Sequence, residues 1–139
     1  MHIVCPHCNA TNRVPDDKLE HEINCGKCQQ PLFDAHPATA SSAELDAHVR
    51  HNEIPVVVDF WAAWCGPCRV MAPEFEKAAA MMEPHARFLK VDTDQEQQAA
   101  MKYNIRSIPT LIVFKGGKEV ARSSGARSAD QLMQWVQSV

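Results

Sequence analysis

Apolar positions are scattered as far as residue 36 and become periodic beyond it. Leu45 and Val49 fall on one face of a short helix that opens at Ser41, with Glu44 completing a capping box. "IPVVVDFW" (54–61) is a continuous, β-branched apolar run, the pattern of a strand buried on both faces. Met71, Phe75, Ala78 and Met82 then form a helical stripe, interrupted by Pro73, which predicts a kink there. "ARFLKVD" (86–92) reads as a second strand, and "TDQEQQAAMKY" (93–103) as a helix capped by Thr93 or Asp94. "TLIVFK" and "KEVARSS" flank Gly116-Gly117 and predict a β-hairpin. Ser128 with Gln131 caps a last helix that presents Leu132, Trp135 and Val136. From Val56 onward the order is strand, helix, strand, helix, strand, strand, helix. The first unit is a parallel crossover and the hairpin closes the sheet antiparallel, which predicts an α/β sandwich with a mixed central sheet flanked by helices. "AHPATASS" (35–42) reads as a loop or linker, dividing a module of residues 1–36 from a domain of residues 37–139.

The 139 residues suit one domain with a small appendage unable to build its own core. Nearly half the residues are hydrophobic and the net charge is −3, which excludes a polybasic nucleic-acid coat and a largely disordered chain. No stretch approaches the roughly 20 apolar residues of a membrane span. The start, "MHIVCPHCNA", has no basic region followed by an apolar run, so a cytoplasmic, thiol-reducing location is expected.

All six cysteines fall in C-x-x-C pairs. Cys5, Cys8, Cys25 and Cys28 read C-x₂-C-x₁₆-C-x₂-C, a spacing that closes a tetrahedral four-thiolate site for one structural zinc ion. A segment this poor in apolar residues needs such a staple, and structural zinc contributes roughly 10–16 kcal/mol to comparable peptides. Two disulfides are the competing pattern, disfavoured in a reducing compartment. His7 and His21 lie near enough in sequence to compete as ligands but read as surface residues. Three basic residues (Arg13, Lys18, Lys27) face five acidic ones (Asp16, Asp17, Glu20, Glu22, Asp34) in this module, a charge of −2 that lacks the footprint of a nucleic-acid ribbon.

Cys65 and Cys68, in "WCGPC", have no second pair with which to share a metal. They follow the buried strand and open a helix, where free N–H groups and the helix dipole favour a thiolate at Cys65. Pro67 sits as a first-turn proline, and the spacing places Cys68 one turn on, within disulfide reach. Redox exchange is the better reading of this pair.

"VDFWAAWCGPC" together with "SIPT" resembles thioredoxin over roughly residues 40–139, and the four-cysteine front module makes the whole similar to the zinc-containing thioredoxin 2 class of bacteria. The resemblance implies a thioredoxin fold and a protein-disulfide reductase. Cys65 would attack a client disulfide, and Cys68 would resolve the mixed disulfide. Gly66 and Pro67 would tune the redox potential. Asp59, taken as ending its apolar strand, matches a buried carboxylate that accepts the resolving thiol's proton; desolvation there should raise its pKa toward neutrality. Lys90 matches that carboxylate's lysine neighbour. Trp64, Ile108, Pro109 (in a cis-proline loop) and Gly125 match the client-binding surface, with Trp61 a packing residue. Arg69 stands where the family often has lysine, and "AHPATASS" matches the family's first strand poorly. The implied partners are disulfide-bearing client proteins and an NADPH-dependent thioredoxin reductase, with no nucleic acid, no membrane and a monomeric state. The rival class is a redox-controlled binding protein exposed by zinc release; a disulfide-forming oxidant is disfavoured by the lack of an export signal.

Overall fold

The computed structural model describes residues 1–139. The front module is a hairpin of β1 (His2–Val4) and β2 (Thr11–Arg13), a 3₁₀ turn at Asp16–Lys18, and a second, bridge-sized hairpin pairing Asn24 with Pro31. Beyond it come β3 (Ala38–Thr39), α1 (Ser42–His51), β4 (Val56–Trp61), α2 (Gly66–Met82), β5 (Arg87–Asp92), α3 (Gln97–Lys102), β6 (Thr110–Lys115), β7 (Lys118–Ser124) and α4 (Ala129–Gln137). The five strands order as β3-β5-β4-β6-β7, with β3, β5 and β4 parallel and β6 and β7 antiparallel to their neighbours.

Local chemistry sets many of the boundaries. Ser41 and Ser128 both accept the N3 backbone N–H while Glu44 and Gln131 reach back, so α1 and α4 each start on a complete capping box, each Ser cap contributing about 1 kcal/mol. Gly116 and Gly117 both have positive φ (58° and 81°), the geometry a two-residue hairpin loop requires. Pro73 falls inside α2 without ending it.

Alternation along β4 divides the core into two layers. Val56, Val58 and Phe60 pack with Leu45 and Val49 of α1 and Ala99 of α3. Val57 packs on the other face with Met71 and Phe75 of α2 and Leu132 and Val136 of α4. Asp59 has the parity of Val57 and therefore faces the layer built by α2.

Three expectations need correction. The segment read as linker contains β3, whose two residues pair in parallel with Leu89 and Lys90; so short a strand of Ala and Thr is defined by its partner, and no local pattern marks it. The helix expected from Thr93 or Asp94 begins at Gln97. Thr93 is tied to the Trp61 carbonyl through both its N–H and Oγ1, and Asp94 N–H donates to Asp92, which holds this stretch as a turn. Asp59 does not end its strand but is followed in it by Phe60 and Trp61, with register partners Lys90 on β5 and Leu111 on β6.

The module docks on the end of the sheet where β4 and β5 begin. His2 exchanges both backbone hydrogen bonds, directly or through the side chain, with Glu53, and Ile54 completes the module's own apolar cluster of Ile3, Val14, Leu19 and Leu32. The "WCGPC" turn follows the other end of β4. The five steps between the six residues of β4, about 3.3 Å each, put roughly 16 Å of strand between the two.

Candidate active site and metal cluster

Cys65 and Cys68 form a disulfide at the start of α2, with Cα atoms 5.2 Å apart. Cys65 is the N-cap, and its sulfur accepts the Cys68 backbone N–H at 3.2 Å. When the bond is reduced, that donor and the helix dipole favour a thiolate at Cys65. Gly66 and Pro67 form the exposed first turn. A small apolar cluster of Ala62, Cys65 and Cys68, flanked by Trp61 and Ile108, shelters the sulfurs. Both cysteines are buried, which leaves the pair only a small opening to solvent.

Facing that opening is the loop before β6. The Ile108–Pro109 peptide is cis, and the Ile108 carbonyl lies 3.7 Å from Cys65 Sγ. Pro109 O accepts from the Gly125 N–H at 2.9 Å, which joins the end of β7 to the same rim. Gly125 has φ +91°, while a Cβ there would meet nothing within 4 Å; conformation, not space, selects glycine. Trp64 is 68% exposed, and its indole N–H donates to Asp94 at 2.9 Å. Its ring is thus held outward as an apolar face beside the sulfurs.

On the α2 side of the sheet Asp59 is fully buried, and neither carboxylate oxygen has a hydrogen-bond partner. Burial raises its pKa to about 7, against the opposing pull of the Lys90 ammonium. Lys90 itself sits over the Trp61 ring, 4.7 Å from the centroid. A carboxyl with its pKa near 7 is partly protonated and partly ionised at neutral pH, whereas an exposed one is fully ionised there.

At the opposite pole the sulfurs of Cys5, Cys8, Cys25 and Cys28 all lie within 4.8 Å of one another. Cys5–Cys28 and Cys8–Cys25 are 3.7 and 3.6 Å apart. A tetrahedron with metal–sulfur bonds of about 2.3 Å has edges of about 3.8 Å, so the set fits a four-thiolate metal site. The two C-x-x-C turns are conformational copies. In each, the first cysteine's N–H and C=O close the turn (Cys5 with Ala10 and Asn9, Cys25 with Gln30 and Gln29). In each, the N–H two residues on donates to the first sulfur at 3.4 Å, and the residue after the second cysteine takes positive φ. Asn12 adds a donor to Cys25 Sγ and accepts from Gly26 N–H. These donors favour anionic sulfur, which a cation would balance. His7 lies 3.9 Å from Asp34 and His21 is exposed; neither joins the cluster.

Sequence reasoning passed over Arg87, Asn52, His48 and Glu83, the buried polar groups between module and domain. Arg87 reads as an unremarkable charge at the head of a strand, and the acceptors that make it matter come from residues 4 and 32.

Comparison with known proteins covers both parts. The family described as "Thioredoxin" matches residues 36–138, and the one described as "Thioredoxin 2, N-terminal" matches residues 4–30. Thioredoxin C-3 of Corynebacterium nephridii is 41% identical over 136 residues, covering 98% of this chain and 93% of its own. Thioredoxin 1 of a Nostoc species is 42% identical over 100 residues, or 72% and 94% of the two chains. Among solved structures, a mutant thioredoxin from Halobacterium salinarum NRC-1 superposes with TM-score 0.69 at 33% identity, covering 76% of this chain and 92% of that one. Chloroplastic thioredoxin z gives 0.68 at 27% identity, with 74% and 93% covered.

Proposed function

The chain belongs to the thioredoxin family, and from that premise we propose that it reduces protein disulfides in the cytoplasm, drawing its electrons from an NADPH-dependent thioredoxin reductase. The observation that carries the reading is the Cys65–Cys68 disulfide at a helix N-terminus, facing the Ile108–Pro109 loop across 3.7 Å.

In the reduced protein the Cys65 thiolate attacks one sulfur of a client disulfide; the client's other sulfur leaves with the electron pair of the broken bond and takes up a proton. The client backbone lies along the Ile108–Pro109 rim, and Trp64 covers its apolar side. Cys68 then loses its proton to Asp59 and attacks Cys65 Sγ. The Cys65–client bond breaks, the second client thiol departs, and the Cys65–Cys68 disulfide remains. Two electrons have passed from the dithiol to the client, and the reductase restores them. Asp59 suits the proton step because a carboxyl with pKa near 7 is partly ionised at working pH.

The metal at the second site is proposed to be zinc, held by Cys5, Cys8, Cys25 and Cys28 as a closed structural centre. Four thiolates leave no open coordination position, so the ion would supply folding free energy to the module and no step of the exchange. Four free thiolate ligands and a working dithiol both require a reducing compartment, which supports the cytoplasmic assignment. The direct test is NADPH oxidation coupled through thioredoxin reductase to a protein disulfide. Turnover that requires both Cys65 and Cys68 is expected; no turnover with any reductase or chemical dithiol would overturn the reading.

A further inference from the structure

The guanidinium of Arg87 is 1% exposed and lies entirely between module and domain. Its Nη2 donates to the Val4 carbonyl at 3.0 Å and to the Leu32 carbonyl at 2.7 Å, its Cζ lies over the Phe33 ring, 4.4 Å from the centroid, and Glu83 stands 3.8 Å away. The two carbonyls belong to different halves of the metal cluster. Val4 immediately precedes Cys5 in the first turn; Leu32 follows Cys28 in the arm that closes the second, bonded back to Ile23. One nitrogen of the larger domain therefore ties together the arms that carry the two cysteine pairs.

Val4 is held from its other side as well. Its N–H donates to Asn52 Oδ1 at 2.7 Å, and Asn52 Nδ2 is fixed in turn by His48 Nδ1, also at 2.7 Å. Asn52 and His48 are buried at the end of α1. Both backbone polar groups of Val4, the residue before Cys5, are thus satisfied by side chains of the thioredoxin domain. Burying a cation here without acceptors would be costly, and so would burying the Val4 amide without one. The arrangement holds only while the two turns stay at ligand spacing.

We propose that Arg87 and Asn52 are positioning residues of the metal site, so that the thioredoxin domain preorganises the four thiolates and metal binding in turn stiffens the start of β5. The inference rests on the four cysteines binding a metal ion. Groups that orient ligands from outside the coordination shell typically change metal affinity by about 10–100-fold when removed. Linkage makes the effect mutual: whatever the domain contributes to affinity, the ion returns as domain stability.

The test uses the full-length reduced protein loaded with zinc and titrated against a chromophoric chelator. Arg87→Met and Asn52→Ala should each bind zinc about 10–100-fold more weakly while keeping the wild-type far-ultraviolet circular dichroism. Leu132→Ala, a cavity in the α2–α4 layer that leaves the clamp intact, should lower stability without changing zinc affinity. Wild-type affinity in both clamp variants, or an equal loss in Leu132→Ala, would overturn the proposal. A second measurement needs no variant: stripping zinc from the wild-type chain under reducing conditions should speed hydrogen exchange at Val4 and at Arg87–Leu89. Unchanged exchange along Arg87–Leu89 would show that the ion is not coupled to the strand. A wild-type chain that holds no zinc would overturn the metal reading and the clamp together.

Discussion

Asp59 and Lys90 are register partners on adjacent strands, yet the ammonium leans over the Trp61 ring and leaves both carboxylate oxygens without a hydrogen bond. The lysine moderates the desolvation of the acid without cancelling it, and the pKa stands at about 7. The unfolded chain loses this proton near pH 4. Between about pH 4 and 7 the folded state therefore holds a proton that the unfolded state lacks, and stability falls as pH rises, levelling off above about 7. The full span is on the order of 4 kcal/mol. Asp59→Asn should remove that slope and make the protein more stable than wild type at pH 8, read by denaturant unfolding at pH 5 and 8. Parallel pH profiles for the two proteins would contradict the buried-acid assignment.

The same substitution has a kinetic expectation. Without its carboxylate, Asp59→Asn should form the mixed disulfide at close to the wild-type rate and resolve it about 10²–10⁴-fold more slowly near neutral pH, the usual contribution of a positioned base. Stopped-flow tryptophan fluorescence separates the two phases. An unchanged resolution phase would remove Asp59 from the proton path.

The order of attack follows from the cap. Cys65 is the N-cap, receives the Cys68 N–H and lies 3.7 Å from the Ile108 carbonyl, whereas Cys68 lies inside the first turn of α2. Cys68→Ser should accumulate a covalent adduct with a disulfide client, and Cys65→Ser should accumulate almost none. Equal trapping by the two variants, counted by mass spectrometry, would reverse or erase the assignment.

Gly125 offers a test of conformation against space. With φ at +91° and open room around a Cβ, Gly125→Ala should cost about 1–2 kcal/mol through backbone strain alone. Denaturant unfolding measures it. A neutral result would mean that the rim relaxes freely and does not depend on the Gly125–Pro109 hydrogen bond.

How much of this was legible beforehand depended on whether the determining partner lay nearby in the chain. Ser41 with Glu44, Ser128 with Gln131, and the Gly116-Gly117 loop are local devices, and each sets the boundary its pattern predicted. The two outer C-x-x-C pairs converge as their spacing predicted, with all four sulfurs within 4.8 Å of one another, and the middle pair forms a disulfide at a helix start. Elements fixed by distant partners were not readable. Ala38–Thr39 becomes a strand only against Leu89 and Lys90. Glu96 accepts from Ser42 N–H and Oγ, and Ser42 Oγ in turn accepts the Ala99 N–H, so α3 is capped from α1 and not by its own N-cap side chain. Arg87 has no meaning until Val4 and Leu32 are brought to it.

The division of labour between the two poles gives the last prediction. The module meets the domain at the beginnings of β4 and β5 and along α1, where Asn9 donates to Glu44, whereas every group placed at the exchange site lies toward the far ends of those strands or beyond. Removing residues 1–36 should therefore spare the chemistry; the cut must precede β3, because a later one would take a strand from the sheet. Arg87 and Glu83 would become solvated, which relieves them of their buried partners, so the main loss is apolar. Exposing Ile54, now 4% accessible, costs about 1.5–3 kcal/mol. Residues 37–139 should thus fold with a lower denaturation midpoint and keep reductase turnover within a few-fold. Peroxide separates the parts further. Oxidation of the four thiolates would release about one zinc ion per chain from the full-length protein and lower its stability toward that of the truncated form, in which peroxide can only close the Cys65–Cys68 disulfide that both proteins share. Metal analysis, unfolding and turnover on both proteins, before and after peroxide and again after added reductant, check each step. A well-folded truncated protein without turnover would place the module in the active site after all, despite the length of strand between them.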